Sequence, residues 1–148
     1  MTEIPSDVLD KMERFCAYQE RCENDVRRKL TSFRLSDTQM DAIVESLKAN
    51  GFLDEERYVE MFVRSKVKSS WGKRKIESAL RAKRVPEALI QRFLDNIPDD
   101  LLRDNLRSAV EKWKRTHPDT SPTSNARIRL VRHLVSKGYQ LEDILQEV

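Results

Sequence analysis

The sequence predicts an all-α protein: three tandem three-helix repeats forming an elongated, curved chain. Three observations predict it. Only 3 of the 148 residues are Gly and 5 are Pro, while Leu, Arg, Lys, Glu and Ala are abundant, a balance that favours helices over a turn-rich β sandwich. Apolar residues recur at the spacing of one helical face. Four apolar positions also return three times with the same internal spacing: Val26, Leu30, Leu35 and Met40, then Ile76, Leu80, Val85 and Ile90, then Leu130, Leu134, Tyr139 and Ile144. Such recurrence reads as tandem modules, placed at 1–50, 51–97 and 98–148. Each is near the size limit for an independent core, so neighbours must stabilise one another.

The first helix is expected over about residues 6–18, with Ser6 as N-cap and Val8, Leu9, Met12, Phe15 and Cys16 on one stripe. A second, over about 23–33, presents Val26, Leu30 and Phe33. Ser36-Asp37-Thr38-Gln39 has capping-box spacing and opens a third, carrying Met40, Ile43, Val44 and Leu47. Asn50-Gly51 stops it, because Gly readily takes the left-handed conformation just past a helix end. Asp54-Glu55-Glu56 caps the next, with Tyr58, Phe62 and Val63. After Ser69-Ser70-Trp71-Gly72, a helix over 73–84 buries Ile76, Ala79 and Leu80. Pro86 suits the first turn of a helix holding Leu89, Ile90, Phe93, Leu94 and Ile97, and Pro98 that of one holding Leu102, Leu106, Val110 and Trp113. His117 to Ser124 reads as a loop. Two last helices carry Leu130, Val131, Leu134 and Val135, then Leu141, Ile144, Leu145 and Val148, with Lys137-Gly138 between them.

The net charge is only +3, and its distribution is more informative than its sum. Residues 64–84 hold nine basic side chains against one acid, Glu77. A patch of this density attracts phosphate or acidic protein surface, with strongly salt-dependent binding. The alternative is a solvated face offset by acids from other segments. Candidate binding residues are Arg64, Lys66, Lys68, Lys73, Arg74, Lys75, Arg81, Lys83 and Arg84. Arg74 and Arg81, seven apart, share nearly one direction away from the buried side of their helix, with Arg84 close by. Arg127, Arg129 and Arg132 form a second strip whose spacing does not put all three on one face. Trp71 reads as an inter-helix plug or a base-stacking platform. Trp113 reads as core, and His117 and His133 have no evident partner.

Other classes find little support. No phosphate-cradling Gly-rich loop, zinc motif or nucleophile motif occurs, so the chain reads as a non-enzyme without metal or cofactor. Cys16 and Cys22 read as reduced thiols. No apolar run is long enough to cross a membrane, and Met1-Thr2-Glu3-Ile4-Pro5 lacks the basic start and apolar run of a signal peptide, which leads to the expectation of a cytoplasmic protein.

At Gly51-Phe52-Leu53-Asp54-Glu55-Glu56-Arg57-Tyr58-Val59 the sequence resembles the RecX family of bacterial recombinase regulators. The likeness continues through Phe62-Val63-Arg64, Lys66, Lys68, Gly72, Ile76, Leu80 and Lys83-Arg84-Val85. It is strongest over 47–97 and weakens after 98, and Cys22 stands where relatives often carry a capping Ser. The motif has a structural reading: Gly51 ends one helix, Asp54 starts the next, and Tyr58 with Phe62 fills the module core. The resemblance implies tandem three-helix repeats. It also implies a monomeric regulator that binds the RecA–single-stranded DNA filament, lowers its recombinase and ATPase activities, and so modulates recombinational DNA repair and the SOS response. Contacts with single- or double-stranded DNA phosphates are part of the same expectation. The other reading is a helical module that binds DNA with no recombinase partner.

Overall fold

Caps, hydroxyl turns and two left-handed glycines cut the chain into successive short helices. The computed structural model describes residues 3–118 and 125–148. Among them run α1 (Ser6–Tyr18), α2 (Glu23–Leu30), α3 (Asp37–Ala49), α4 (Glu55–Lys68), α5 (Lys73–Ala82), α6 (Glu87–Asp95), α7 (Asp99–Thr116), α8 (Asn125–Ser136) and α9 (Leu141–Glu147), and no strand. The capping box of α3 forms in both directions: Gln39 N–H donates to Ser36 Oγ at 3.1 Å, and Ser36 N–H to Gln39 Oε1 at 2.9 Å. Arg57 N–H donates to Asp54 Oδ1 at 3.0 Å and caps α4. Gly51 at φ +77° closes α3 as its position after the apolar stripe requires.

Several boundaries differ from the sequence expectation, among them the end of α6 at Asp95, before Ile97. Ser6 is the first helical residue and Pro5 occupies the N-cap position. Helix α2 stops at Leu30, before Phe33, because the hydroxyls of Thr31 and Ser32 donate to the carbonyls of Arg28 and Lys29 at 2.6 and 2.8 Å and turn the chain. Helix α5 ends at Ala82, and Arg84 lies beyond it at φ +58°, a left-handed turn. Of the loop read from His117 to Ser124, residues 119–124 lie outside the described residues.

Each set of three consecutive helices closes over its own apolar cluster. Met12, Val26, Leu30, Ile43, Val44 and Leu47 are fully buried in the first, Val59, Ile76, Leu80 and Ile90 in the second, and Leu130, Leu134 and Ile144 in the third. Burying one such side chain is worth roughly 1.5–3 kcal/mol, so each cluster holds its three helices without a larger core. Of the thrice-repeated positions only Leu35 and Met40 remain partly exposed. The chain exposes 9553 Å², whereas a compact protein of 17.4 kDa would expose roughly 7,900 Å². The excess is the signature of repeats set in a row.

The two joints are built differently. Between the second and third repeats, backbone meets backbone. Gly72 N–H donates to Lys137 O at 2.7 Å and Arg74 N–H to Gly138 O at 3.1 Å, while the Tyr139 hydroxyl donates to Ser70 O at 2.8 Å. A Cβ on Gly72 would lie 2.3 Å from the Gly138 carbonyl, and Gly138 itself sits at φ +100°, so neither position has room for a side chain. Between the first and second repeats, side chains make the joint. Cys22 of the first repeat is fully buried in the second cluster. Glu23 N–H donates to Glu55 Oε2 at 3.0 Å, Lys83 pairs with Asp25 at 2.7 Å, and Arg57 with Glu20 at 2.6 Å.

Candidate functional site

The glycine joint gathers the basic side chains into a surface. Ser70, at φ +64°, reverses the chain after α4, and Trp71 N–H folds back onto Lys66 O at 2.9 Å. The Trp71 ring therefore lies over the end of α4, packed at its base against the second cluster and in edge contact with Phe62 at 6.4 Å. Lys66 Nζ stands 4.7 Å and Lys75 Nζ 4.1 Å from the ring centroid, so Trp71 plugs the gap beside the second cluster, and its ring is a seat for cations.

The third repeat adds to the same surface. Lys137 Nζ donates to Ser69 O at 3.0 Å. Partial burial, then the like charges of Lys75 and Lys112, hold the Lys137 ammonium below its ordinary pKa. Lys66, Lys75, Lys112 and Lys137 thus converge, and none has a carboxylate partner among the described residues. Gathering like charge this way is uphill unless an anion completes it.

The start of α5 sharpens the point. It has no acidic residue in its first turn, where Lys73, Arg74 and Lys75 face the positive end of the helix dipole. Two of its orphan N–H groups are answered by the carbonyls of the third repeat, as described above, and not by a side-chain cap. A helix start that is basic throughout contradicts the local rule that the other helix starts of the first two repeats obey with Asp or Glu.

The nine sequence candidates separate into two groups. Lys66, Lys68, Arg74, Lys75 and Arg84 make no ion pair among the described residues, and Lys73 only reaches Asp99 at 4.0 Å. The other three are held by carboxylates. Arg64 pairs with Glu60 at 2.8 Å, Arg81 with Glu77 at 2.7 Å and Glu87 at 2.6 Å, and Lys83 with Asp25 across the first joint. The hydrogen bond from Arg81, then that from Gln91, draws the Glu87 carboxyl down to about 2. Arg74 and Arg81 are both exposed as their spacing implies, but they are not equivalent: Arg74 borders a shallow pocket of 340 Å³ against the third repeat, with Asp99, Tyr139 and Glu147.

Sequence reasoning missed Lys112 and Lys137, which lie far along the chain from the dense run. It also missed the partner of the two histidines: the Trp113 ring is stacked between His117, at 4.1 Å, and His133, at 5.6 Å. Cys16 and Cys22 are free and buried, and burial pushes the Cys22 thiol up to about 12, which removes it from thiolate chemistry. No helix among the described residues is long and apolar enough to cross a membrane.

Residues 54–94 match the second three-helix domain of RecX. The regulatory protein RecX of Clostridium botulinum (strain Alaska E43 / Type E3) is 31% identical over 132 residues, which cover 86% of this chain and 60% of that protein. The regulatory protein RecX of Herminiimonas arsenicoxydans is 24% identical over 140 residues, 94% of this chain and 89% of the relative. The chain therefore spans about three fifths of the clostridial relatives and most of the other. In the fold, the crystal structure of RecX from Lactobacillus salivarius superposes with a TM-score of 0.79 at 21% identity, covering 97% of both chains. A second crystal structure, of a regulatory protein RecX, gives the same score at 20% identity over 96% of this chain.

Proposed function

The chain belongs to the RecX family, and from that premise we propose that it binds the recombinase filament formed by RecA on single-stranded DNA and lowers its recombinase and ATPase activities. The observation that supports this most is the unpaired basic surface around Trp71, set on a joint that glycine backbones hold rigid. Lys66, Lys68, Lys73, Arg74 and Lys75, with Lys112 and Lys137 beside them, meet acidic protein surface or DNA phosphate along the filament. An elongated row of repeats can follow a groove across more than one protomer.

A second observation favours a protein partner over DNA alone. Ile128, Val135, Leu141 and Leu145 of the third repeat are 45–51% exposed. The positions 54 residues earlier hold Arg74, Arg81, Glu87 and Gln91, so the same face is polar in the second repeat and apolar in the third. Water-exposed apolar side chains on a repeat whose counterpart is charged suit a protein contact better than a phosphate one.

Recombinase ATP turnover on single-stranded DNA, measured as the protein is titrated in, tests the reading. Turnover is expected to fall, and Lys68→Glu with Arg74→Glu to raise the half-inhibiting concentration by about tenfold or more while the melting temperature stays put. Unchanged turnover at saturating protein sinks the proposal. Affinity for naked DNA that does not rise when the recombinase is added, at equal salt, transfers the reading to a DNA-binding module.

A further inference from the structure

The exposed apolar side chains of the third repeat form one continuous patch, and the second repeat shows why. At the matching positions there, Arg81 grips Glu87 with two hydrogen bonds, Nε to Oε2 at 3.0 Å and Nη2 to Oε1 at 2.6 Å. Gln91 Nε2 donates to the same Oε1 at 3.0 Å. These three positions therefore meet on the surface of a repeat, and in the third repeat they hold Val135, Leu141 and Leu145. Ile128 lies two turns before Val135 on the same face of α8. Apolar side chains scattered singly over a surface are ordinary, but a group of four that converges is not.

We infer that this face is where a second copy of the chain docks, the two copies being related by a two-fold axis. The first support is the contrast between repeats. A row of repeats stays in water because its outer faces are polar. The first repeat has Asn24, Thr31, Asp37 and Asp41 at the four positions, and the second has its Arg, Glu and Gln set. The third repeat departs from the rule at all four together.

The second support is charge, and it selects the occupant. Arg132 stands inside the α8 stripe, four residues after Ile128 and three before Val135. Glu142 follows Leu141 on α9 and lies three residues before Leu145. Both are exposed, and neither has an ion pair or hydrogen bond among the described residues. The second repeat carries the small, uncharged Ser78 and Ala88 in their places. One apolar patch thus bears an unpaired cation on one helix and an unpaired anion on the other. A two-fold contact uses each pairing twice: Arg132 of one protomer meets Glu142 of its partner, and the reverse. DNA leaves the aliphatic side chains and Glu142 unanswered, whereas a second copy answers every group on the face. The inference goes beyond the recombinase reading and stands without it.

Sedimentation equilibrium of the full chain, with neither recombinase nor DNA, tests it. The weight-average mass is expected to climb with concentration from 17.4 kDa toward twice that value. Val135→Arg with Leu141→Glu and Leu145→Gln installs the hydrogen-bonded set of the second repeat, and should leave a folded chain that stays at monomer mass. Arg132→Glu and Glu142→Arg should each weaken association by about tenfold. Combined, they reverse both charges, and association should return to within about threefold of the parent. A parent that remains at monomer mass up to about 1 mM overturns the inference. So does a triple variant that associates as the parent does, or a combined charge variant as weak as either single one. Recombinase ATP turnover separates the two readings. A triple variant that is monomeric and inhibits at the parent's concentration supports the second copy as the occupant. A parent that never associates, with a triple variant that no longer inhibits, gives the face to the recombinase and overturns only the second copy.

Discussion

The two joints solve one problem with opposite chemistry. The second joins repeats through backbone hydrogen bonds around two glycines that touch, with the Tyr139 hydroxyl and the Lys137 ammonium adding bonds to the carbonyls of Ser70 and Ser69. The first joins them through a buried thiol, two salt bridges, and a carboxylate that accepts an N–H. A backbone joint has one geometry and is indifferent to salt. A side-chain joint is adjustable, and a concavity of 940 Å³ lies beside it, against 340 Å³ at the glycine joint. The rigid joint presents the Trp71 surface, while the adjustable one frames a concavity.

The largest test of this contrast is Tyr58→Ala. Tyr58 is 5% exposed, stacks on Phe62 at 5.9 Å, and lies in the second cluster beside Cys22. Removing a buried aromatic costs about 3–5 kcal/mol. Thermal melting should show the loss together with reduced protection of the first joint, and a melting temperature within about 2 °C of the parent would contradict the packing.

Gly138→Ala should come next. The left-handed φ and a Cβ placed 2.5 Å from Lys75 N act together, and we expect about 2–4 kcal/mol, with the Gly72 and Arg74 amides losing hydrogen-exchange protection. The Glu23 amide, at the other joint, should keep its protection. If both joints loosen equally, they are one cooperative unit and the contrast fails.

Much of this was legible beforehand because it is local. Helix caps at Ser36 and Asp54, the stop at Gly51 and the apolar stripes depend on residues within a turn or two, and the repeat is a spacing. What escaped the sequence depends on distance. Glu87 neutralises Arg81 from the next helix, Asp25 neutralises Lys83 from another repeat, and Lys137 reaches Ser69 across the glycine joint. A charge run shows where cations are numerous, and only the fold shows which of them remain unpaired. The glycine pair is the sharpest instance. Gly138 is recognisable as a helix stop, but Gly72 reads as an ordinary loop residue until the third repeat is seen to press against it.

Lys83→Ala tests the side-chain joint alone. The ammonium is 37% exposed and its Asp25 partner 17%, so solvent screens part of the attraction and about 1 kcal/mol is expected, without loss of fold. Raising salt should narrow the difference between parent and variant, whereas Gly138→Ala should cost the same at any salt.

The smallest effect is also the most selective, because it uses protons rather than atoms. Burial works against the charged Asp25 carboxylate, but hydrogen bonds from Lys83 and Cys22 outweigh it and hold its pKa below the ordinary 3.8. A depressed carboxylate stabilises the fold above its unfolded pKa, and that contribution fades as the pH falls through the lower folded value. Glu55 runs the other way. Its burial, only partly offset by the Glu23 N–H, raises its pKa above 4.5, so taking up a proton there favours the folded chain. On acidification the first joint should therefore gain slightly as Glu55 protonates, and then weaken below about pH 3.8 as Asp25 releases Lys83. The Glu23 amide resonance, followed by NMR, should report both steps, and Asp25→Asn should erase the second. Gly72 and Arg74, whose N–H groups go to carbonyls, have nothing to titrate, and their resonances should stay flat. Movement of the Gly72 signal in step with that of Glu23 would show that acid reaches the second joint through the first, and the two would no longer be separate devices.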